Sequence, residues 1–218
     1  MRLRQFTGAD APPVVAILRG VGPQDAVGIG RALLDGGIRV MEVPLNSPQP
    51  LESISLLSEA FGADALIGAG TVMSVRQVNE VAAAGARLVV SPHTDAAVIG
   101  RAVALGLECL PGFFTATEAF AALEAGATGL KLFPASSAGP SYLRALRDVL
   151  PRTVGVWAVG GTGAHDLASW LEAGAAGIGV GGALYRAGDG APLVRQRAQA
   201  LQAAWQSRIG SAGGAARR

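Results

Sequence analysis

One local pattern recurs along most of this chain: the end of an amphipathic helix, a glycine turn, and then a short apolar run. The clearest copies are LLDGGIRVMEV over 33–43, AAAGARLVVSP over 82–92, LEAGATGLKLFP over 123–134 and LEAGAAGIGVGG over 171–182. Apolar runs bounded by turn signals indicate buried strands, and alternation with helices indicates that these strands pair in parallel. The pattern therefore predicts an α/β fold.

Eight such strand-then-helix units can be followed through the sequence. Strands are predicted over 13–20, 40–45, 65–72, 87–92, 108–112, 129–134, 154–161 and 177–182. Helices are predicted over 23–34, 51–60, 75–84, 96–105, 115–125, 142–150, 166–173 and 192–208. Eight units are what a closed (β/α)8 TIM barrel requires. The alternative is a doubly wound open sheet, which is disfavoured because no GxGxxG motif follows the first strand.

Composition and charge exclude several classes of protein. Half of the 218 residues are hydrophobic, only 16% are charged, and the net charge is +2. We therefore expect a large buried core, and neither a nucleic acid nor a membrane as partner. Cys109 is the only cysteine, and the N-terminus leads into polar residues rather than an apolar segment. A cytoplasmic protein is expected, with one barrel domain over 1–209 and a disordered tail over 210–218.

The only lysine of the chain, Lys131, lies inside one of the predicted strands, between Leu130 and Leu132. Lysine is rarely buried without a partner or a purpose. Loss of hydration penalises the ammonium form and lowers the pKa, and a neutral amine is the nucleophile that forms a Schiff base with a ketone. The alternative is a lysine near a strand end whose ammonium group reaches an ion partner.

The other predicted strands also end in residues suited to a site. In a TIM barrel the C-terminal strand ends form the active site. The residues at these ends are Arg19, Glu42, Thr71, Pro92, Lys131, Gly160-Gly161 and Gly181-Gly182. Arg19, Glu42 and Lys131 each interrupt or end an apolar strand and would converge on one mouth, which favours a catalytic role. The glycine pairs end the last two strands, where backbone N–H groups commonly hold a phosphate.

Other chemistries have few residues to support them. His93, His165 and Cys109 share no metal-ligand spacing, so no metal site is expected. The pair Ser136-Ser137 has no histidine in a supporting position, which disfavours a serine nucleophile. A barrel that binds or isomerises a sugar phosphate without an imine is the remaining alternative.

Several motifs together resemble the class I 2-keto-3-deoxy-6-phosphogluconate/6-phosphogalactonate aldolase family. They are AILRG over 16–20, MEVPLNSP over 41–48, IGAGTV over 67–72, SPH over 91–93, PGFFTATEA over 111–119, LKLFPAS over 130–136, WAVGG over 157–161 and GVGGALYRAG over 179–188. The resemblance runs from about residue 13 to residue 206. It implies a homotrimeric (β/α)8 barrel that needs no cofactor. This enzyme would reversibly split a phosphorylated keto-deoxy sugar acid into pyruvate and glyceraldehyde 3-phosphate.

The resemblance also implies roles for individual residues. Lys131 would form the Schiff base, and Glu42 would be the general acid/base. Arg19 and Thr71 would bind the pyruvyl carboxylate region, and the glycine-rich strand ends would bind the phosphate. The remaining members of the expected substrate site are Asn46, Pro92, Phe133, Val159, Gly160, Gly161, Gly181 and Gly182.

Two positions depart from the gluconate-type members of the family, and a third departs from the family in general. Those enzymes have an arginine where this chain has Asn46 and a threonine where it has Val159. VPLNSP and AVGG instead resemble the galactonate-type branch, so 2-dehydro-3-deoxy-6-phosphogalactonate is the expected substrate. The gluconate isomer and 4-hydroxy-2-oxoglutarate are the alternatives. Gly182 stands where the family commonly has serine, which removes one hydroxyl donor from the phosphate loop.

Overall fold

Parallel strands alternate with helices along the computed structural model of this chain, which describes residues 3–8 and 10–215. The strands are β1 Val14–Ile17, β2 Val40–Pro44, β3 Leu66–Gly70, β4 Leu88–Val90, β5 Glu108–Leu110, β6 Gly112–Phe113, β7 Leu130–Leu132, β8 Val156–Val159 and β9 Gly177–Val180. The helices are α1 Pro23–Asp35, α2 Pro50–Phe61, α3 Val75–Ala83, α4 Ala96–Ala104, α5 Ala116–Glu124, α6 Ala135–Arg147, α7 Leu167–Glu172 and α8 Ala191–Ala215. A 3-10 helix, Leu3–Phe6, precedes them.

The strands form one parallel barrel, as predicted. Hydrogen-bonded neighbours follow the order β5-β4-β3-β2-β1-β9-β8-β7-β6. The fifth predicted strand is divided at Pro111 into β5 and β6, because proline has no backbone N–H to donate. Gly129 N–H donates to Cys109 O (3.3 Å) and Lys131 N–H donates to Pro111 O (2.9 Å), so the two halves act as one strand position against β7. Nine strand segments thus fill eight positions, and the barrel closes.

Alternate strand residues point into the barrel, which decides where polar groups can lie. Val15, Val40 and Leu66 belong to an interior cluster that also contains Leu3 and Phe6 of the 3-10 helix. Because the 3-10 helix closes the N-terminal end, the interior opens at the C-terminal strand ends.

Glu42 and Lys131 lie at inward positions of this alternation. Glu42 follows Val40 by two residues in β2, so it shares the inward side of that strand. Leu130 and Leu132 instead belong to the cluster between sheet and helices. Lys131, which stands between them in β7, therefore faces the barrel interior.

The helix boundaries follow local capping rules. Thr115 and Glu118 form a reciprocal capping box at the start of α5, and the side chains of Ser74 and Asp95 cap α3 and α4. Gly85 (φ 92°) and Gly126 (φ 94°) adopt the left-handed conformation that ends helices. These glycines return the chain to the next strand at a defined point.

The structure differs from the sequence-based expectation near two helices. The sixth helix begins at Ala135 rather than at residue 142, and Gly139 (φ 75°), followed by Pro140, kinks it. The last helix continues to Ala215, so residues 210–215 of the expected disordered tail are helical. These residues extend a helix that is already nucleated, and adding a residue to an existing helix avoids the cost of nucleation. Residues 216–218 lie outside the described part of the chain.

No helix within residues 3–8 and 10–215 has both the length and the apolar content needed to cross a membrane.

Candidate active site

A cavity of about 420 Å³ opens at the C-terminal ends of the barrel strands. Its walls are formed by Ile17, Arg19, Glu42, Thr71, Pro92, Lys131, Phe133, Val159, Gly160, Gly161, Thr162, Gly179, Gly181, Gly182, Ala183 and Arg186. All of the site residues expected from the sequence are on this wall except Asn46, which contacts Arg19 instead. The residues come from most of the strands, which is how a parallel barrel concentrates distant sequence positions.

Lys131 is held inside the cavity by its position in the middle of β7. Its side chain is buried, and Nζ lies 4.7 Å from the centroid of the Phe133 ring. Burial lowers the pKa of Lys131, the carboxyl group of Glu42 opposes that effect, and the positive charge of Arg19 lowers the pKa further. The net direction is downward, so the uncharged amine is easier to populate than in a solvated lysine.

Glu42 is the carboxyl group that shares this cavity with Lys131. It is 3% exposed, and its pKa is raised to about 7 because burial outweighs the opposing attraction of Lys131 and Arg19. Glu42 Oε2 is buried and has no hydrogen-bond partner among the described residues. A buried carboxyl oxygen without a partner is costly, and a group titrating near neutral pH is suited to accept and return protons.

The space for the Glu42 carboxyl group depends on Gly70, the last residue of β3. An ideal Cβ on Gly70 would lie 2.0 Å from Glu42 Oε2 and 2.4 Å from Oε1. The next residue, Thr71, has a positive φ of 57°, which is uncommon for a residue with a branched side chain. Strained backbone of this kind costs on the order of 1–3 kcal/mol and concentrates at functional sites.

Arg19 lies at the mouth of the cavity after β1. Its Nη1 donates to Asn46 Oδ1 (2.7 Å), and the backbone N–H of Gly20 donates to Ser47 Oγ (3.0 Å). Two side chains of the loop after β2 therefore fix the loop that carries the guanidinium group. Asn46 is exposed and contacts Arg19 without lining the cavity itself.

The loops after β8 and β9 form the glycine-lined side of the cavity. Gly160 (φ 105°) and Gly161 (φ 81°) both adopt backbone conformations that residues with side chains rarely enter. A Cβ on Gly161 would also lie 2.8 Å from Ser136 Cβ. The buried hydroxyl of Thr162 donates to Gly179 O (2.8 Å) and ties the loop after β8 to strand β9. Backbone on this side can therefore approach an anion closely.

Sequence reasoning missed five residues of the cavity wall. They are Ile17, Thr162, Gly179, Ala183 and Arg186. Arg186 and Ala183 lie beyond the end of β9, in a loop whose path an apolar-run argument does not give. The run GGALYR did contain a usable signal, since it places a basic residue shortly after a glycine pair at a strand end.

No group of three or more His, Cys, Asp and Glu side chains in residues 3–8 and 10–215 is arranged to hold a metal ion. Cys109 is buried, and the pKa of its thiol is raised to about 12. Burial is the main cause, and the negative charge of Glu108 adds a smaller increase.

Comparison with known proteins gives the family. A model described as "Aldolase: KDPG and KHG aldolase" matches residues 9–191, which is most of the chain. The chain belongs to the KDPG and KHG aldolase family. The match includes Glu42, Lys131 and the glycine-rich loops after β8 and β9, so the family region contains the whole cavity.

One curated relative and two solved structures are similar to this chain over at least 90% of its length. The 2-dehydro-3-deoxy-6-phosphogalactonate aldolase of Escherichia coli K12 is 47% identical over 90% of this chain and 96% of its own length. A solved structure described as native KDPGal has 47% identity and a TM-score of 0.89 over 90% of this chain and 96% of that one. A cube-shaped protein cage designed by fusing symmetric oligomeric domains has 46% identity and a TM-score of 0.91, over 93% of this chain and 75% of its own.

Proposed function

We propose that this protein is a class I aldolase that reversibly cleaves 2-dehydro-3-deoxy-6-phosphogalactonate to pyruvate and D-glyceraldehyde 3-phosphate. The observation that carries the proposal is the pairing of a buried lysine of lowered pKa with a buried carboxyl group in one cavity. An amine attacks a ketone only in its uncharged form, and proton transfer to and from the substrate needs a group that titrates near neutral pH. Lys131 and Glu42 supply these two functions.

The first half of the reaction makes an electron sink at C2. The uncharged Lys131 Nζ attacks the C2 ketone, and the carbinolamine takes a proton from the Glu42 carboxyl group and loses water, which gives a protonated imine and leaves Glu42 as a carboxylate. The Glu42 carboxylate then accepts the proton of the C4 hydroxyl as the C3–C4 bond breaks. The electrons of that bond flow into the imine, and glyceraldehyde 3-phosphate leaves. Positioned proton transfer of this kind contributes about 10²–10⁴ in rate.

The second half returns the enzyme to its starting state. The enamine left on Lys131 takes up a proton at C3, and water hydrolyses the imine to pyruvate and free amine. A Glu42 pKa of about 7 leaves both its acid and base forms accessible at neutral pH. The same residue therefore serves cleavage as a base and condensation as an acid.

We assign the remaining wall residues to the two anionic ends and the body of the substrate. Arg19 and Thr71 bind the carboxylate beside the imine, and the backbone of Gly160, Gly161, Gly181 and Gly182 binds the phosphate. Pro92 and Phe133 pack against the carbon chain. The covalent imine takes the place of a cofactor.

The galactonate configuration is supported by two side chains and by one relative. Val159 places an apolar wall before the glycine pair, and Asn46 binds Arg19 rather than reaching the cavity wall itself. The relative from Escherichia coli K12, 47% identical over 90% of this chain, is a phosphogalactonate aldolase. An apolar wall typically discriminates by only about ten- to two-hundredfold, so measurable cleavage of the gluconate isomer is expected as well.

The test is the reverse reaction. Pyruvate and D-glyceraldehyde 3-phosphate are condensed by the enzyme, and the two diastereomers are resolved by NMR early in the reaction. A product mainly of galactonate configuration supports the proposal. A product mainly of gluconate configuration would reassign the substrate and keep the aldolase, and the absence of any aldol product would remove both.

We further propose that the enzyme is a cytoplasmic homotrimer. The similarity to a cage built from symmetric oligomeric domains supports closed oligomerisation. Exposed apolar side chains, among them Met73, Phe120 and Val149, offer surface that a second subunit could cover. Light scattering should give three times the monomer mass, and a monomer mass would refute the trimer.

A further inference from the structure

Arg186 carries a guanidinium group on the cavity wall, in the loop between β9 and α8. Its Nε donates to the carbonyl oxygen of Gly182 (3.0 Å), which fixes the plane of the guanidinium group beside the glycine-lined side of the cavity. No further hydrogen bond or ion pair of this guanidinium group occurs in the part of the chain that the structure describes. Its two terminal nitrogens are therefore available to a ligand.

The loop itself is held in place from behind. The backbone N–H of Arg186 donates to Asp189 Oδ2 (2.8 Å), and Arg197 Nη1 of α8 binds the same oxygen at 2.5 Å. Hydrogen bonds from the Arg197 side chain and then from the Arg186 backbone hold the pKa of Asp189 below its usual range. Asp189 forms its ion pair with Arg197, and the charge of Arg186 is the smallest of the effects on its pKa. The Arg186 guanidinium group forms no ion pair with a carboxylate among the described residues.

The other wall residues from β9 and its loop offer no competing side-chain donor, and the hydroxyl of Thr162 after β8 already donates to Gly179 O. The other wall residues from β9 and its loop are Gly179, Gly181, Gly182 and Ala183, and none of them has a polar side chain. An ideal Cβ on Gly182 would lie 3.7 Å from Arg186 Nε, so the space in front of Gly182 is in direct reach of the guanidinium group. A planar fork of N–H donors matches the oxygens of a phosphate.

We propose that Arg186 binds the phosphate group of the substrate and makes the enzyme selective for phosphorylated over unphosphorylated aldehydes. The inference rests on the proposed aldolase activity and adds a side-chain ligand to it. Arg186 is a binding residue, remote from the bonds that change, so its contribution should disappear when the phosphate is absent.

The experiment compares D-glyceraldehyde 3-phosphate with D-glyceraldehyde as acceptors for pyruvate, in the wild type and in Arg186→Met. Loss of the charge-assisted hydrogen bonds from the guanidinium group to the phosphate should lower kcat/KM for the phosphorylated aldehyde by about 10- to 100-fold. The value for glyceraldehyde should change by less than about twofold, since no contact to it is removed. Arg186→Lys should show a smaller loss confined to the phosphorylated aldehyde. The matched control is Arg195→Met, an exposed arginine of α8 outside the cavity.

Equal losses on both aldehydes, or no loss on the phosphorylated one, would overturn the proposal. A readout that does not need turnover is the shift in Tm with inorganic phosphate, because a ligand of the folded state stabilises it. Phosphate should raise the Tm of the wild type and of Arg195→Met by the same amount, and that of Arg186→Met by clearly less, because only the backbone donors of the glycine loops remain there. An equal rise in all three would also refute the role of Arg186. A wild type that binds phosphate through Arg186 yet makes no aldol product would instead contradict the proposed function.

Discussion

Gly70→Ala adds a single methyl group directly behind the proposed acid/base residue. The added Cβ would lie 2.0 Å from Glu42 Oε2, whereas ordinary van der Waals contact begins at 3.4 Å. The carboxyl group must therefore move by roughly 1 Å or more, and misplacement on that scale can cost about 10²-fold in rate. We expect kcat for cleavage to fall by about 10²–10³, within the range that general acid/base catalysis supplies.

Stability should change far less than turnover. The obstructing atoms are the end of a flexible side chain rather than backbone, so the clash can be relieved by moving the carboxyl group. Overpacking typically costs about 1–3 kcal/mol, and we expect the lower end of that range here. Steady-state release of pyruvate measures the catalytic loss, and thermal unfolding measures the stability loss.

The matched control is Gly100→Ala in α4, where an added Cβ would meet nothing within 4 Å. It should leave turnover unchanged and stabilise the helix by about 0.5–1 kcal/mol. Turnover of Gly70→Ala within about threefold of the wild type would show that the position of the Glu42 carboxyl group is not what limits proton transfer.

Two further predictions concern pH and stereochemistry. Because the Glu42 pKa is raised to about 7, its base form is lost as the pH falls through that value, and kcat/KM for cleavage should fall with it. Glu42→Gln should reduce cleavage by about 10²–10⁴, and the loss of rate at low pH that remains should be the one caused by protonation of Lys131. A wild-type kcat/KM that stays constant down to about pH 5 would contradict this role of Glu42. The double change Asn46→Arg and Val159→Thr should move the condensation product toward the gluconate configuration, measured by NMR, with Val149→Thr as a control substitution at an exposed site. An unchanged diastereomer ratio would remove these two positions from the discrimination.

The convergence of Glu42 and Lys131 could be predicted because it follows from two simple periodicities. Residues of a strand alternate between its two faces, and the C-terminal ends of parallel strands meet at one end of a barrel. A charged residue at an inward position near a strand end must then reach the mouth. The glycine pairs at the ends of the last two strands were found by the same argument.

The loops beyond the strand ends were harder to predict. Asn46 was expected on the wall, but a hydrogen bond to Arg19 directs it to the neighbouring loop. Arg186 was missed because its position depends on the contact between Asp189 and Arg197, which joins the loop to α8. The need for glycine at position 70 likewise appears only when the packed carboxyl group of Glu42 is seen. Such contacts depend on tertiary packing, which local periodicity does not contain.

Borohydride reduction tests directly whether Lys131 forms an imine with the substrate ketone. The enzyme is incubated with pyruvate and borohydride, and the intact protein and its peptides are weighed by mass spectrometry. Because Lys131 is the only lysine in the chain, peptide mapping has to separate it only from the N-terminal amine. We predict one reduced adduct on the peptide containing Lys131, with loss of activity, and no adduct in Lys131→Arg. An unmodified Lys131 peptide, together with cleavage retained in Lys131→Arg, would contradict the imine mechanism.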